Sequence, residues 1–201
     1  MKHVFTWPFI ILLTTQIHAQ TSEQLENFNR DRLRINDQGM VVLGSWAVAN
    51  ISWGTIAASQ TSGRVRAFHQ MNAGWNLVNL AIAGAGYFST KKAATRLNLA
   101  QTFSEQKKME KVLIFNAVLD LAYVTAGIWM MEYAKRPDVD SDNLTGFGQS
   151  LILQGGFLFA FDVIMVHMHA RNWSRFQPIT GNAMLSTGIH APTFGFAINL
   201  N

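Results

Sequence analysis

The amino-acid sequence predicts an all-α fold: a four-helix transmembrane antiparallel bundle preceded by a signal peptide and a short amphipathic helix. Three observations carry this. Only 14% of the 201 residues are charged and 49% are hydrophobic, whereas a soluble domain is roughly 25% charged. The charges gather between four apolar runs of about twenty residues, the length that crosses a ~30 Å hydrocarbon layer at ~1.5 Å per residue. Those runs lack the polar stripe that a water-soluble bundle repeats every third or fourth residue, and they are about twice as long as barrel strands. The chain has no cysteine, which excludes a disulfide scaffold and a cysteine-ligated zinc or iron–sulfur centre.

Residues 1–19 have a short basic start at Lys2 and His3, an apolar core from Val4 to Leu13 and a polar end at Ile17, His18 and Ala19. That order is a secretory signal peptide with cleavage after Ala19; Trp7 and Pro8 leave open a retained anchor helix. Residues 20–38 place Leu25, Phe28, Arg32 and Ile35 at helical spacing, with Glu26 and Arg30 four apart in the favourable order. The segment reads as an amphipathic pre-helix at the membrane surface. Its positive cluster is short and mixed with acid, which argues against nucleic acid as a partner.

The transmembrane domain is expected over 39–169, with spans at about 39–59, 70–90, 112–131 and 147–168. The first two spans hold no charged residue, the third holds Asp120, and the fourth holds Asp162 and His167. Short connectors make successive helices antiparallel neighbours. The tail, 170–201, carries Pro178, Gly181, Gly188, Pro192 and Gly195, which argue against a fifth straight span and favour an amphipathic or partly re-entrant segment.

The orientation signals conflict. Cleavage of a signal peptide puts the pre-helix outside the cytoplasm. Yet Arg30, Arg32 and Arg34, six basic residues in the 91–111 connector, and Arg171 with Arg175 share that side, and the positive-inside rule assigns such a side to the cytoplasm.

Polar side chains inside the spans are costly in lipid and face the bundle interior. Asn72, Asn76 and Asn79 form one stripe of the second span with His69, and Asn116, Asp120 and Tyr123 form another on the third. Asn50, Gln154 and Asp162 complete a possible intramembrane polar network, with Asn50, Asn79 and Asp120 near one depth. Two roles compete for it. The amides and carboxyls hydrogen-bond helices together across small-residue faces, for which Gly44, Gly74, Gly84, Gly86, Gly155 and Gly156 leave room. Alternatively, Asp120 and Asp162 serve a small transporter or a ligand or ion sensor. An interhelical pocket walled by Trp46, Trp53, Trp75 and Phe157 is a further arrangement, while Tyr87, Trp129, Tyr133 and Trp173 read as interfacial anchors.

His167 and His169 lie two apart and point to different helix faces, and His69 sits at the opposite membrane side, so no metal or haem is expected. There is no Gly-rich phosphate loop, activated-serine motif or histidine pair at i and i+4 of the zinc-protease type. The expectation is a non-enzymatic membrane protein without a cofactor, in a structural or auxiliary role. Its partners would be the lipid bilayer and either a second copy or another membrane protein, and its place the bacterial inner (cytoplasmic) membrane, crossed several times.

The run Arg34-Ile35-Asn36 through Gly39-Met40 and Leu43-Gly44-Ser45-Trp46-Ala47, followed by His69-Gln70-Met71-Asn72-Ala73 and Trp75-Asn76-Leu77-Val78-Asn79-Leu80, resembles an uncharacterised family of small integral membrane proteins from Bacteroidetes. The likeness is strongest over residues 30–90 and extends more weakly through the fourth span. It implies the membrane class and carries no activity.

Overall fold

The computed structural model describes the backbone of residues 7–187 and the side chains of residues 22–176. It contains four helices, α1 (Trp7–Gln60), α2 (Gly63–Lys92), α3 (Leu99–Tyr133) and α4 (Ser141–Thr187). The expected leader falls partly outside the described backbone and wholly outside the described side chains, as does the tail beyond residue 187. Three stretches are long and apolar enough to cross a membrane: Ser22–Gln60, Leu99–Tyr133 and Ser141–Phe176. The second helix is not among them. Its Asn72, Asn76 and Asn79 lower its hydropathy, and all three are buried against neighbouring helices.

The helices are longer than the sequence pattern suggests. The pre-helix is not a separate element: with no proline between residues 22 and 60, α1 runs unbroken through it into the apolar segment. The fourth helix passes residue 168 because Trp173 and Phe176 pack onto Phe28 of α1, with ring centroids at 5.7 and 4.3 Å. The connectors shrink accordingly. Asn98 caps α3 through a reciprocal pair of bonds, accepting from the Gln101 amide at 2.9 Å while the Gln101 side chain accepts from the Asn98 amide at 3.0 Å. At the two-residue turn between α1 and α2, Gly63 adopts φ 55°, a left-handed conformation that favours glycine.

Along α1 and α2, Asp37 bonds Lys91, Gly44 faces Ala83 and Gly54 faces Ala73, so residue numbers rise on one helix as they fall on the other. The same holds for α3 and α4, where Gly127 opposes Gly148 and Asp120 opposes Gly155. Between α3 and α4 the closest approach is at the glycine pair, where a Cβ on Gly127 would lie 2.5 Å from the Gly148 carbonyl oxygen. By contrast Gly74, Gly84 and Gly156 face open space and do not serve the close packing expected of them.

Helix α4 packs on the other three, whereas among the described residues α2 and α3 do not pack backbone to backbone. The distribution of side chains is inverted relative to a soluble bundle. Trp53, Phe88, Phe115 and Trp129 are each more than 60% exposed, while Asn76, Gln106, Ser150, Gln154 and His169 are fully buried.

Candidate functional site

The central feature is a ladder of amides joining α1, α2 and α4. The Trp46 indole N–H donates to Gln154 Oε1 at 3.1 Å, and Gln154 Nε2 donates in turn to Asn72 Oδ1. Asn72 Nδ2 donates to Asn50 Oδ1 at 2.8 Å, and Asn50 Nδ2 returns to the Trp46 carbonyl at 2.8 Å. The circuit is closed. Below it Asn76 donates to the Asn72 carbonyl, and Asn79 donates to Asn76 Oδ1 at 3.2 Å. The sequence stripe on α2 becomes this ladder because the spacing of 72, 76 and 79 places three amides on one helix face.

Asp120 stands apart from it. Its carboxyl meets that of Asp162 on α4 within hydrogen-bonding reach, and its Oδ2 has no partner among the described atoms. Two carboxylates this close repel when both are charged, and a proton or a cation between them removes the repulsion. Of the nine expected network residues, five thus form the ladder and two form the carboxyl pair. Asn116 lines a cavity beside Asp162, and Tyr123 packs edge-on against Trp75 at 4.7 Å. The expected common depth of Asn50, Asn79 and Asp120 yields no contact, because Asn50 reaches Asn72 on α2 and Asp120 turns to α4.

The aromatic pocket does not form. Trp46 and Phe157 stack face to face at 3.8 Å and leave no space between them, while Trp53 is 65% exposed and points away from the bundle. Trp173, expected as an interfacial anchor, packs edge-on against Phe28 and Phe103. Among the described residues no group of three metal-ligating side chains converges.

A second polar cluster, absent from the sequence expectations, lies where α1, α3 and α4 extend past the apolar segments. Asn29 Nδ2 donates to Thr102 Oγ1 at 2.8 Å, and Arg32 Nε donates to Asn29 Oδ1 at 3.3 Å. His169 Nε2 and Asn36 Oδ1 are 2.8 Å apart, so Nε2 carries the proton that the amide oxygen accepts. The Arg32 guanidinium is only 3% exposed, and its acidic neighbour Glu105 stands at 4.0 Å. Around this cluster Lys91 bonds Asp37 at 3.0 Å and stacks over Tyr87, and Arg96 pairs with Glu26. The Asp37 bond raises the Lys91 ammonium above its ordinary value. The spacing of Asn29, Arg32 and Asn36 was visible as one helix face, but the surrounding charges gave that face the look of a surface.

Between this cluster and the carboxyl pair lies a cavity of about 480 Å³. Arg32, Asn36, Ser89, Thr90, Glu105 and Lys108 surround its polar end; Met40, Leu43, Ile82, Met109, Leu113 and Met165 form its apolar wall; and Asn116 and Asp162 close its base.

The model of a protein family of unknown function, DUF6992, matches residues 42–163. The chain belongs to this family. The DUF6992 match takes in the ladder from Trp46 to Gln154, the Asp120–Asp162 pair and most of the cavity wall. It leaves outside both Arg32 with its amide partner Asn29 and His169 with Asn36. Comparison with curated proteins and with solved structures finds no match.

Proposed function

We propose that this DUF6992 chain is a multi-pass protein of the bacterial inner membrane, an antiparallel bundle with a structural or auxiliary, non-enzymatic role. The inverted surface carries the reading. Large apolar side chains such as Trp53, Leu77, Phe115 and Ile164 point outward while amides and carboxyls turn inward, an arrangement suited to lipid and prone to aggregation in water. The second helix completes the set of spans, since its asparagines are internal and Leu77, Val78, Ile82 and Phe88 are exposed.

The closed amide circuit supports the structural role, because each of its members already has a partner and none is left free to bind a ligand. Its partners on this reading are the bilayer and either a second copy or another membrane protein. Alkaline carbonate extraction tests the membrane assignment: retention of the full-length chain in the pellet is expected, and its release to the supernatant overturns the proposal.

One observation favours a second reading, a small transporter or ion sensor. The Asp120–Asp162 pair sits outside the ladder, with one oxygen unpartnered and a cavity at its side.

A further inference from the structure

We propose that the cavity between α2 and α3 binds a single-chain anionic amphiphile, a long-chain carboxylate drawn from the bilayer; the inference rests on the membrane reading above. Its volume of about 480 Å³ lies within the ~300–1,000 Å³ range of small-ligand sites. At roughly 30 Å³ per methylene-sized group, similar to a water's share of liquid volume, it holds one chain of about sixteen such groups and not two. Arg32 and Leu43 line its two levels on α1, eleven residues and therefore about 16 Å apart along the helix. That is about half a ~30 Å hydrocarbon layer, the depth of one leaflet.

The chemistry of the two levels differs. At the polar end the buried Arg32 guanidinium has its Nε held by Asn29, and its nearest acid, Glu105, is at the 4.0 Å limit of an ion pair and half exposed. Lys108, Ser89 and Thr90 stand beside it, so a carboxylate there meets a fixed fork of donors and a second cation. Below, methionine and leucine side chains accept the chain, and Asn116 with Asp162 sets its limit of length. Because α2 and α3 do not pack on each other at this level, the opening faces the lipid laterally. Lower down, the Trp75–Tyr123 edge contact bridges the same two helices.

Equilibrium binding of radiolabelled hexadecanoate to the full-length chain in phosphatidylcholine nanodiscs, with empty discs subtracted, tests this. Hexadecyltrimethylammonium, with the same chain and the opposite charge, is the comparison. Saturable one-to-one uptake of hexadecanoate and none of the cation is expected. Arg32→Gln should weaken uptake at least tenfold, Glu105→Gln should tighten it a few-fold by removing the competing acid, and Ala85→Trp should abolish it by filling the opening.

A general loss of structure cannot produce opposite signs at Arg32 and Glu105. If Arg32→Gln does not fold, the exposed Lys108→Gln takes its place, with weakening expected. Equal uptake of the two amphiphiles, or uptake unmoved by both the Glu105 and the cation substitutions, overturns the site. Carbonate extraction of the same preparation separates that failure from failure of the membrane reading, which releases the chain whatever it binds.

Discussion

Trp46 on α1 donates its indole N–H to the side-chain oxygen of Gln154 on α4 at 3.1 Å, while its ring lies flat on Phe157 one turn further along α4. The residue therefore holds α4 by both its polar edge and its face. Gln154 passes the connection to Asn72 on α2, so its side chain bonds to two other helices within the ladder, as that of Asn72 does through Gln154 and Asn50.

Gln154→Leu should accordingly destabilise the bundle more than Asn79→Leu. The first leaves Trp46 Nε1 and Asn72 Oδ1 without their partner, whereas the second removes a single 3.2 Å bond within α2. Interhelical bonds in membranes are worth about 0.6 to 2 kcal/mol each, so Gln154→Leu is expected to cost about 1–3 kcal/mol and Asn79→Leu less than about 1 kcal/mol. Unfolding midpoints in mixed micelles measure both, and an equal effect at the two positions contradicts the ladder.

The Gly127–Gly148 contact gives a steric prediction. A methyl group on either residue would come within 2.6 Å of the other's carbonyl oxygen, so Gly127→Ala and Gly148→Ala must separate α3 from α4, at the ~1–3 kcal/mol typical of overpacking. Gly74→Ala and Gly84→Ala meet nothing within 4 Å and should be neutral or stabilising by up to about 1 kcal/mol through the helix preference of alanine. Thermal unfolding of the four variants checks the contrast.

Lys91 and Asp37 supply a pH dependence. The bond to Asp37 raises the Lys91 ammonium above its ordinary 10.5. A group raised on folding stabilises fully below its unfolded value, and that stabilisation is lost as pH rises through the folded one. Stability should therefore be level in this respect through neutral pH and fall above about 10.5. Asp37→Asn should flatten that alkaline fall, and added salt should do the same in the parent chain because the pair is exposed. Denaturation curves from pH 9 to 12 read it.

The basic end of the bundle is expected to face the cytoplasm. Lys91 and Lys92 end α2, Arg96 lies in the connector that follows, and Lys107, Lys108 and Lys111 lie in the first half of α3; the excess of Lys and Arg beside spans sets orientation. A reporter inserted in the 93–98 connector should be active in its cytoplasmic form. Activity only in the exported form would show that a cleaved leader overrides the charge bias.

The parts of this architecture that repeat along one helix were legible in the sequence, and those that depend on a meeting between helices were not. Asn72, Asn76 and Asn79 lie on one face by spacing alone, and their burial followed. Asp120 gave no sign that its partner is Asp162, because interhelical register depends on close contacts such as Gly127 with Gly148 that no single segment encodes. Arg32 and Gln106 were missed for a different reason. Hydropathy marks where a helix can meet lipid and is blind to its continuation beyond, so a buried polar cluster in the extended part looked like an exposed, charged connector. Trp53 shows the converse error, since an aromatic residue on a span has no polarity to tell an inward face from a lipid-facing one.

Asp120 decides between the structural reading and transport. Asp120→Asn keeps a group that hydrogen-bonds Asp162 and removes one of the two like charges, so the bundle should be as stable as the parent or more so. On the structural reading, vesicles containing the parent chain show no proton or cation flux above empty vesicles, and Asp120→Asn changes nothing in that measurement. A flux in the parent that Asp120→Asn and Asp162→Asn each abolish, with unfolding midpoints preserved, would move the function to the carboxyl pair. The preserved midpoint is the essential control, because loss of flux with loss of folding would only repeat that both residues are buried.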